Sequence, residues 1–311
     1  MIFSVCWTAR HSIAASTLFA VFLCGCETPH DESAIKNDVA DPPAAVVVEQ
    51  SQEAPVVAEP SIKAIEARFL CWNLESEGSD PNVIAQQIKE LGPYDIYAFT
   101  EFLPSAEELF AGTLGEDYKL IMSKSGYRDR LAIAFDVRKF DLVKFYEIKE
   151  INFQNRYRSP LVLQLKDKKS GIEFYVMNNH LARGKEKVRE TQADQLVEWG
   201  RKQLLPVIAL GDYNLDYVFA TDKGNTAFPK MMKDNVWKWI KPVELIDTNW
   251  YDNPQEPDGE DDYPGSLLDF AFVLGPAKEW NASCKVIVRP GDFPDNETTS
   301  DHRPFELTIA K

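Results

Sequence analysis

The chain has 311 residues, of which 44% are hydrophobic, 12% aromatic and 27% charged. This length can bury a large core, which excludes a small stapled scaffold and favours one domain of about 240 residues behind a leader. The 49 acidic and 34 basic residues leave a net charge of −15, which disfavours a tight binder of duplex DNA, because such proteins need a broad basic surface.

The N-terminus has the pattern of a secretory signal. Arg10 precedes an apolar run at residues 13–23, which is too short for a membrane span but suits a signal peptide. Residues 23–26 (Leu-Cys-Gly-Cys) resemble the bacterial lipobox, whose last cysteine is acylated. We expect residues 1–26 to be the signal and Cys26 to be lipidated. The product is then an exported cell-envelope lipoprotein, periplasmic or outer-membrane-associated. With an ordinary cleaved signal it is secreted.

A tether is predicted between this leader and a folded domain. Residues 27–66 are acidic and rich in Pro, Ala and Val, without a sustained period. Such a segment buries too little apolar surface to offset its ordering entropy. We therefore expect a disordered tether at residues 27–66, held to the membrane through the lipid anchor, and a single domain at residues 67–311.

The first half of the domain is predicted to be mainly strands. In chain order we expect a strand at 68–74, a helix at 81–91, a strand at 95–100, a short helix at 105–114 and strands at 118–123, 131–135, 142–151 and 161–166. Asp80 and Pro81 have the residue types of a helix N-cap and first helical position. The successive short strands favour extended antiparallel sheet over repeated strand–helix units.

The second half alternates strands, helices and loops. We expect a strand at 173–177, a charged helix at 185–204, a strand at 206–210, partial helix at 228–240, a surface loop at 251–263 and strands at 267–274, 284–288 and 305–310. The strand at 206–210 is expected to stop at Gly211. Asp212 and Asn214 then lie where a strand meets a loop, fixed by the strand and open to substrate.

The domain contains two cysteines, Cys71 and Cys284. They lack the repeated Cys-x-x-Cys spacing of a zinc site, so we expect two small buried apolar side chains. A disulfide between them is left open.

Polar groups recur where apolar strands end. These strand ends carry Asn73, Glu101, His180, Asp212, Asn214, Asp269, Asp301 and His302. One such ending is commonplace, since polar residues begin most loops. The recurrence is harder to dismiss, and both histidines of the domain belong to the set. The pattern therefore indicates residues placed for chemistry.

The ordered set of motifs resembles the endonuclease/exonuclease/phosphatase family, the DNase I-like metal-dependent phosphoesterases. The motifs are Trp72-Asn73, Thr100-Glu101, Asn179-His180-Leu181, Gly211-Asp212-Tyr213-Asn214, Leu268-Asp269-Phe270 and Ser300-Asp301-His302. They follow the family's order over residues 67–311. The resemblance implies an α/β (α+β) four-layer sandwich, with two mainly antiparallel β-sheets flanked by helices and the site at one rim.

The resemblance also implies a divalent cation held by oxygen ligands. Glu101 matches the principal metal ligand, and Asp301 and Asn73 help to position metal or phosphate. Glu75 is a candidate for a further, water-mediated contact. Hard oxygen ligands suit Mg²⁺, with Mn²⁺ or Ca²⁺ as alternatives, whereas the lack of a thiolate or multi-histidine cluster argues against zinc.

The catalytic roles follow from the same resemblance and from the residue types. Asp212 orients or deprotonates the attacking water, and Asn214 holds the phosphate or that water. His302, kept protonated by Asp269, stabilises negative charge in the transition state. His180 contacts a phosphate oxygen or protonates the leaving alkoxide.

Several arginines could bind parts of the substrate beyond the scissile phosphate. Arg130 and Arg158 are candidates for contacts with further phosphates, and Arg128, Arg156 and Arg183 have similar positions near strand ends or in loops. The alternative for each arginine is that it is an ordinary solvent-exposed surface residue that binds no phosphate. The acidic loop at 258–262 has oxygens enough for Ca²⁺, but its spacing is not that of an EF-hand.

We therefore expect an exported, monomeric, metal-dependent phosphoesterase that hydrolyses phosphodiester bonds, with nucleic acid as the leading substrate. One alternative is a phosphatase or phospholipase C-like enzyme acting on lipid or sugar phosphates. Another, from a different class, is a surface binding module on an inactive nuclease-like scaffold. The intact set of strand-end residues disfavours this last alternative.

Overall fold

The computed structural model describes residues 63–292 and 298–310. The predicted signal peptide, Cys26 and all but the last four residues of the predicted tether lie outside the described residues. The described chain forms two six-stranded sheets with helices on their outer faces. The expected four-layer sandwich is confirmed.

Twelve strands and four α-helices are defined in the described residues. The strands are β1 (Ala67–Asn73), β2 (Ile96–Phe102), β3 (Tyr118–Met122), β4 (Arg130–Asp136), β5 (Phe140–Glu147), β6 (Leu161–Asp167), β7 (Glu173–His180), β8 (Val207–Val218), β9 (Lys238–Trp239), β10 (Ser266–Leu274), β11 (Asn281–Val286) and β12 (Phe305–Ala310). The helices are α1 (Pro81–Leu91), α2 (Glu107–Leu114), α3 (Glu186–Gly200) and α4 (Phe228–Met231).

The topology decides which strand ends meet. The first sheet has the order β11-β12-β1-β2-β4-β3, and the second has the order β5-β6-β7-β8-β10-β9. Each sheet contains one parallel pair, β1 with β2 and β7 with β8, among antiparallel neighbours. Because parallel strands end at the same edge, each pair delivers two strand ends to one rim of its sheet.

Apolar side chains separate the four layers. Phe69, Ile133 and Val273 belong to the cluster between the sheets. Trp72 and Ile84 belong to a second cluster, which packs α1 and α2 on the outer face of the first sheet. A third cluster packs α3 on the second sheet. As predicted, Asp80 caps α1, since its carboxylate accepts a hydrogen bond of 2.8 Å from the Asn82 N–H.

The described chain begins already packed on this fold. Ile65 is buried in the cluster between the sheets, and the Lys63 carbonyl accepts a hydrogen bond of 3.2 Å from Trp280 Nε1. Cys71 and Cys284 are both buried and both free. In the part of the chain that the structure describes, no helix has the length and apolar character needed to cross a membrane.

The prediction that a strand ends at Gly211 is wrong. β8 continues to Val218 and passes through Asp212 and Asn214, because β10 pairs with it along both halves, with a register shift between Leu267 and Asp269. Tertiary pairing thus overrides the turn preference of the Asp and Asn residues. Both side chains are therefore held by a strand of a paired sheet.

The partial helix predicted at residues 228–240 is confirmed, and its helical part is short. Only α4 and a short turn are helical, and Asp234 and Asn235 have φ angles of +55° and +51°, which end a right-handed helix. β9 follows, and it places the Trp239 ring 5.4 Å from that of Phe270 between centroids. Packing of this aromatic ring favours the extended chain over a longer helix.

Gly211 allows β7 and β8 to approach closely beside the polar cluster. It has a φ of +136°, and a Cβ added there would lie 2.0 Å from the Asn179 carbonyl oxygen. We expect Gly211→Ala to lower the free energy of unfolding by more than about 4 kcal/mol, because the clash is with backbone. Urea-induced unfolding followed by tryptophan fluorescence measures this change.

Gly171→Ala is the matched control for that substitution. Gly171 also has a positive φ, +74°, but a Cβ there would meet nothing within 4 Å. Its replacement should therefore cost only about 1 kcal/mol of backbone strain. Equal losses for the two variants would contradict the close-approach argument.

Candidate active site

Strand ends from both sheets meet at one rim of the sandwich. Asn73 ends β1, Glu101 lies one residue before the end of β2, and His180 ends β7. Asp212 and Asp269 are cross-strand partners on β8 and β10. The structure thus brings together side chains that are far apart in sequence, as the predicted strand ends require.

The segment before β12 is tied to β1 and positions His302. Trp72 Nε1 donates a hydrogen bond of 2.7 Å to the His302 carbonyl oxygen. The Ser300 hydroxyl donates one of 2.6 Å to the Asn73 carbonyl and accepts one of 3.0 Å from the His302 N–H. Ser300 therefore fixes the turn, a role that sequence alone did not indicate.

His302 and Asp269 form a buried pair. Nδ1 of His302 lies 2.8 Å from Oδ2 of Asp269, and both side chains are at most 3% exposed. Burial alone would lower the pKa of His302, but the charges of Asp269, Asp301 and Asp212 outweigh it and raise the pKa to about 10. With Nδ1 held by Asp269, Nε2 of the protonated ring lies 3.9 Å from a carboxylate oxygen of both Asp212 and Asp301 and 3.4 Å from Asn73 Nδ2.

Asp212 stands at the centre of the cluster. Its Oδ2 accepts a hydrogen bond of 3.1 Å from Asn73 Nδ2 and lies 3.5 Å from Nε2 of His180. Burial, followed by repulsion from Asp269, raises the pKa of Asp212 to about 7, against the opposing effect of His302. A carboxylate with a raised pKa is a stronger base than an ordinary aspartate.

His180 differs electrostatically from His302. Burial lowers its pKa well below the usual value, and the positive charges of Arg158, His302 and Arg183 lower it further. Its Nδ1 is buried without a hydrogen-bond partner in the described residues. At the same pH, His180 is thus neutral and His302 is cationic. This difference suits two groups with different roles in a reaction.

Glu101 has backbone strain and turns its carboxylate into the cleft. It has a φ of +50° inside the irregular pairing between Phe99 and Phe102, a conformation that ordinary residues adopt at a cost. Its oxygens accept hydrogen bonds from neutral donors, namely Asn73 Nδ2 at 3.4 Å and the Ser76 hydroxyl at 3.2 Å. Ser76 was not predicted, and no sequence signal marks it.

The donor chemistry around Glu101 fits a hard dication. Its side chain is 22% exposed, and within the described residues no lysine or arginine lies within ion-pair distance of it. Glu75 and Asp301 line the same cleft, and Glu75 Oε2 accepts a hydrogen bond of 2.9 Å from the Asp301 N–H. In residues 63–292 and 298–310 no three His, Cys, Asp or Glu side chains are close enough to hold a metal by themselves. The carboxylates of Glu101, Glu75 and Asp301, which line one cleft, are the candidate ligands of such an ion.

Asn214 lies beside Asp212 and is largely engaged with the protein. Its backbone N–H donates a hydrogen bond of 2.9 Å to Asp212 Oδ1, and its side-chain amide donates one of 3.2 Å to the Leu181 carbonyl. Its φ is +49°. In this arrangement Asn214 orients Asp212 and the end of β7.

The cluster opens into a cleft of about 580 Å³. Its lining includes Glu75, Ser76, Glu101, Tyr127, Arg128, Asp129, Arg156, Tyr157, Arg158, His180, Arg183 and Asp301. Of the two predicted substrate-binding arginines, Arg158 lines the cleft but is bonded through two nitrogens to Asp129. Arg130 is not part of the lining and donates to the Tyr127 and Asp129 carbonyls.

Two facing sheets with outer helices and a polar cluster at one rim define the endonuclease/exonuclease/phosphatase fold, as the motifs predicted. No protein-family model matches the sequence, and no curated protein matches it significantly. The relationship to known proteins therefore rests on solved structures.

Three solved structures illustrate this fold. An endonuclease/exonuclease/phosphatase family protein from Bacteroides thetaiotaomicron has a TM-score of 0.60 at 19% identity, covering 80% of this chain and 96% of that one. A mannosyl-6-phosphatase from the same species also has a TM-score of 0.60 at 19% identity, over 79% and 100%. TDP2 of D. rerio, in complex with a single-strand DNA product, has a TM-score of 0.59 at 17% identity, over 79% and 99%. At these identities the likeness establishes the fold.

Proposed function

We propose that this chain belongs to the endonuclease/exonuclease/phosphatase family and is a divalent-metal-dependent phosphodiesterase, acting on nucleic acid. The observation that carries the proposal is that a proton acceptor, Asp212, lies close to a proton donor, His302. A basic carboxylate lies 3.9 Å from the imidazole of His302, which Asp269 keeps protonated. Phosphoester hydrolysis needs both an acceptor for the proton of water and a donor to the phosphoryl oxygens.

Each residue of the cluster has its own role in this hydrolysis. The Asp212 carboxylate accepts a proton from the attacking water, and Asn73, whose amide bonds that carboxylate, holds it in place. The Nε2–H of His302 donates a hydrogen bond to a phosphoryl oxygen and stabilises the charge that builds there. Neutral His180, beside Asp212 and Glu101, contacts the phosphate from the other side.

Glu101 would hold the dication, with Glu75 and Asp301, which line the same cleft, and the side-chain oxygen of Asn73 as further candidate donors. Mg²⁺ fits this all-oxygen set best, and Mn²⁺ or Ca²⁺ are alternatives. When bound, such an ion neutralises the phosphate anion and makes the phosphorus easier to attack.

The decisive experiment is an assay of the purified domain from residue 63 onward. Its substrates are bis-p-nitrophenyl phosphate, single-stranded and duplex DNA, RNA, sugar phosphates and phospholipids, each with Mg²⁺, Mn²⁺ or Ca²⁺. We expect diesterase activity on bis-p-nitrophenyl phosphate and on a nucleic acid. Turnover of sugar phosphates or phospholipids alone would favour the phosphatase or phospholipase C-like alternative. Absence of turnover with every metal would contradict the enzyme proposal.

Metal removal should abolish activity, and Glu101 should set the metal requirement. EDTA should reduce turnover to background, and excess Mg²⁺ should restore it. Glu101→Gln should raise the Mg²⁺ concentration for half-maximal activity by about 10–100-fold, because an amide is a weaker ligand than a carboxylate. Metal titrations of initial rate measure this, with Glu198→Gln on the outer helix as control. An unchanged requirement in Glu101→Gln would remove Glu101 from the metal site.

The pH–rate profile should be bell-shaped. Asp212 must be ionised to accept a proton, so kcat/KM should rise as pH increases through its pKa of about 7. His302 must be protonated to donate, so kcat/KM should fall as pH increases through its pKa of about 10. The plateau therefore lies between these values. A profile that declines from pH 6 upwards would contradict the two assignments.

We further propose that the protein is an exported cell-envelope lipoprotein, acylated at Cys26, and a monomer. The support is the signal-like pattern and the lipobox-like residues 23–26. Mass spectrometry of the mature protein should find a diacylated or triacylated Cys26 at the N-terminus. An unmodified N-terminus downstream of Cys26 would contradict acylation, and light scattering of the domain tests the monomer.

A further inference from the structure

Most arginines of this acidic protein are neutralised by carboxylates. Eleven arginines lie in the described residues. Eight of them have a carboxylate oxygen within 4.0 Å, namely Arg68, Arg128, Arg138, Arg158, Arg189, Arg201, Arg289 and Arg303. The three that form no ion pair within the described residues are Arg130, Arg156 and Arg183.

Two of these three arginines line the catalytic cleft. Arg156 and Arg183 belong to the same lining as Glu101 and His180. The Arg130 guanidinium instead donates hydrogen bonds to backbone carbonyls. The unneutralised arginines are thus concentrated where the substrate must enter. In a chain with 15 more acidic than basic residues, cations left without carboxylate partners are suited to an external anion.

The two guanidinium groups come from different loops. Arg156 lies between β5 and β6, in a loop fixed by a hydrogen bond of 2.9 Å from the Tyr157 N–H to Asn152 Oδ1. Arg183 lies between β7 and α3. Burial opposes its charge, but a hydrogen bond to Tyr263 and the charges of Asp301 and Asp212 raise its pKa, so this guanidinium lies within electrostatic reach of the reacting groups.

The lining of the same cleft also contains aromatic rings. Tyr127 is 88% exposed, and both Tyr127 and Tyr157 belong to the same lining as Arg156 and Arg183. An exposed ring in a cleft that also contains cationic groups is suited to stack on a base, because every base has a flat face and stacking tolerates any sequence.

We propose that Arg156 and Arg183 form a second anion subsite, which binds the phosphate next to the scissile one on a single nucleic-acid strand. The inference rests on the proposed function, since the reacting phosphate must occupy the neighbouring cluster. Guanidinium groups bind phosphate through two parallel hydrogen bonds. A substrate with only one phosphate leaves this subsite empty and binds more weakly.

The test compares a thymidine pentanucleotide with bis-p-nitrophenyl phosphate, which has a single phosphate. The full chain is assayed as wild type, Arg156→Gln and Arg183→Gln. Each variant should raise KM about tenfold for the pentanucleotide and by less than about threefold for the small diester. The slope of log KM against log salt concentration should also decrease by about 0.7 for each arginine removed.

Arg201→Gln is the matched control, because it removes the same charge from an arginine already paired with Glu198 and Asp234 on the outer surface. It should leave both KM values and the salt dependence unchanged. Arg156→Lys should recover part of the loss, since the charge remains but the two-pronged contact does not.

The outcomes separate the subsite from the proposed function. If wild type hydrolyses the small diester but the two glutamine variants match Arg201→Gln on the pentanucleotide, the subsite is wrong and the proposed function stands. Equal losses for both substrates would place the arginines on the scissile phosphate and also overturn the subsite. If wild type hydrolyses neither substrate, the proposed function itself fails.

Discussion

Replacing Asp212 by asparagine should lower kcat by about 10³-fold, because the amide cannot accept a proton from water. The same substitution should make the protein more stable. Ionised Asp212 is buried beside Asp269, and this raises its pKa to about 7. At pH 8 the folded state therefore bears a charge that the unfolded state solvates better, and asparagine removes that cost, of the order of 2–4 kcal/mol.

The sign of the stability change depends on pH in a defined way. A carboxyl whose pKa is higher in the folded state costs nothing below its unfolded pKa and reaches its full cost above its folded pKa. The stability gain of Asp212→Asn should therefore be complete at pH 8 and shrink towards zero near pH 4. Chemical unfolding at both pH values measures this, beside initial rates with bis-p-nitrophenyl phosphate.

Asp194→Asn is the control for that experiment, since Asp194 lies on the surface of α3 and pairs with Lys230. It should leave kcat unchanged. A less stable Asp212→Asn would contradict the electrostatic argument, and a kcat within tenfold of wild type would contradict the role as base. A variant that is inactive but more stable has not lost its activity through damage to the fold. The two measurements together therefore distinguish loss of a catalytic group from loss of structure.

The sequence predicts the architecture because buried strands leave a clear trace. The runs that became β1, β2 and β10 are apolar and end or break at single polar residues, so their positions, and the meeting of their ends, follow from pattern and motif order. β8 could not be bounded in this way. Asp212 and Asn214 normally end a strand, and only the pairing with β10 across the register shift extends it.

The residues that line the cleft were harder to predict than the polar cluster at the strand ends. Arg156 and Arg158 are two positions apart and identical in type. Only the fold brings Asp129 to Arg158 and leaves Arg156 without a carboxylate in the described chain. Which arginine is neutralised is a tertiary property with no local signature. The same holds for Ser76, whose contact with Glu101 depends on the parallel pairing of β1 and β2.

The second large effect concerns His302 and Asp269, and here two variants should move the pH profile differently. His302→Gln removes the donor to the phosphoryl oxygen and should lower kcat by about 10²–10³-fold. It also removes a positive charge that lowers the pKa of Asp212. The acid limb of the remaining activity should therefore shift to higher pH, and the alkaline limb near pH 10 should disappear.

Asp269→Asn should instead move both limbs to lower pH. The Asp269 charge raises the pKa of His302 against burial and also raises that of Asp212, so its loss lowers both. Activity at pH 8 should fall by about 10²–10⁴-fold, because His302 is then mostly neutral and less firmly oriented. Part of the lost activity should return near pH 6, where His302 is protonated again. A merely structural Asp269 would lower the rate without moving either limb, so the direction of the shift, measured as kcat/KM from pH 5 to 10.5, decides between the two roles.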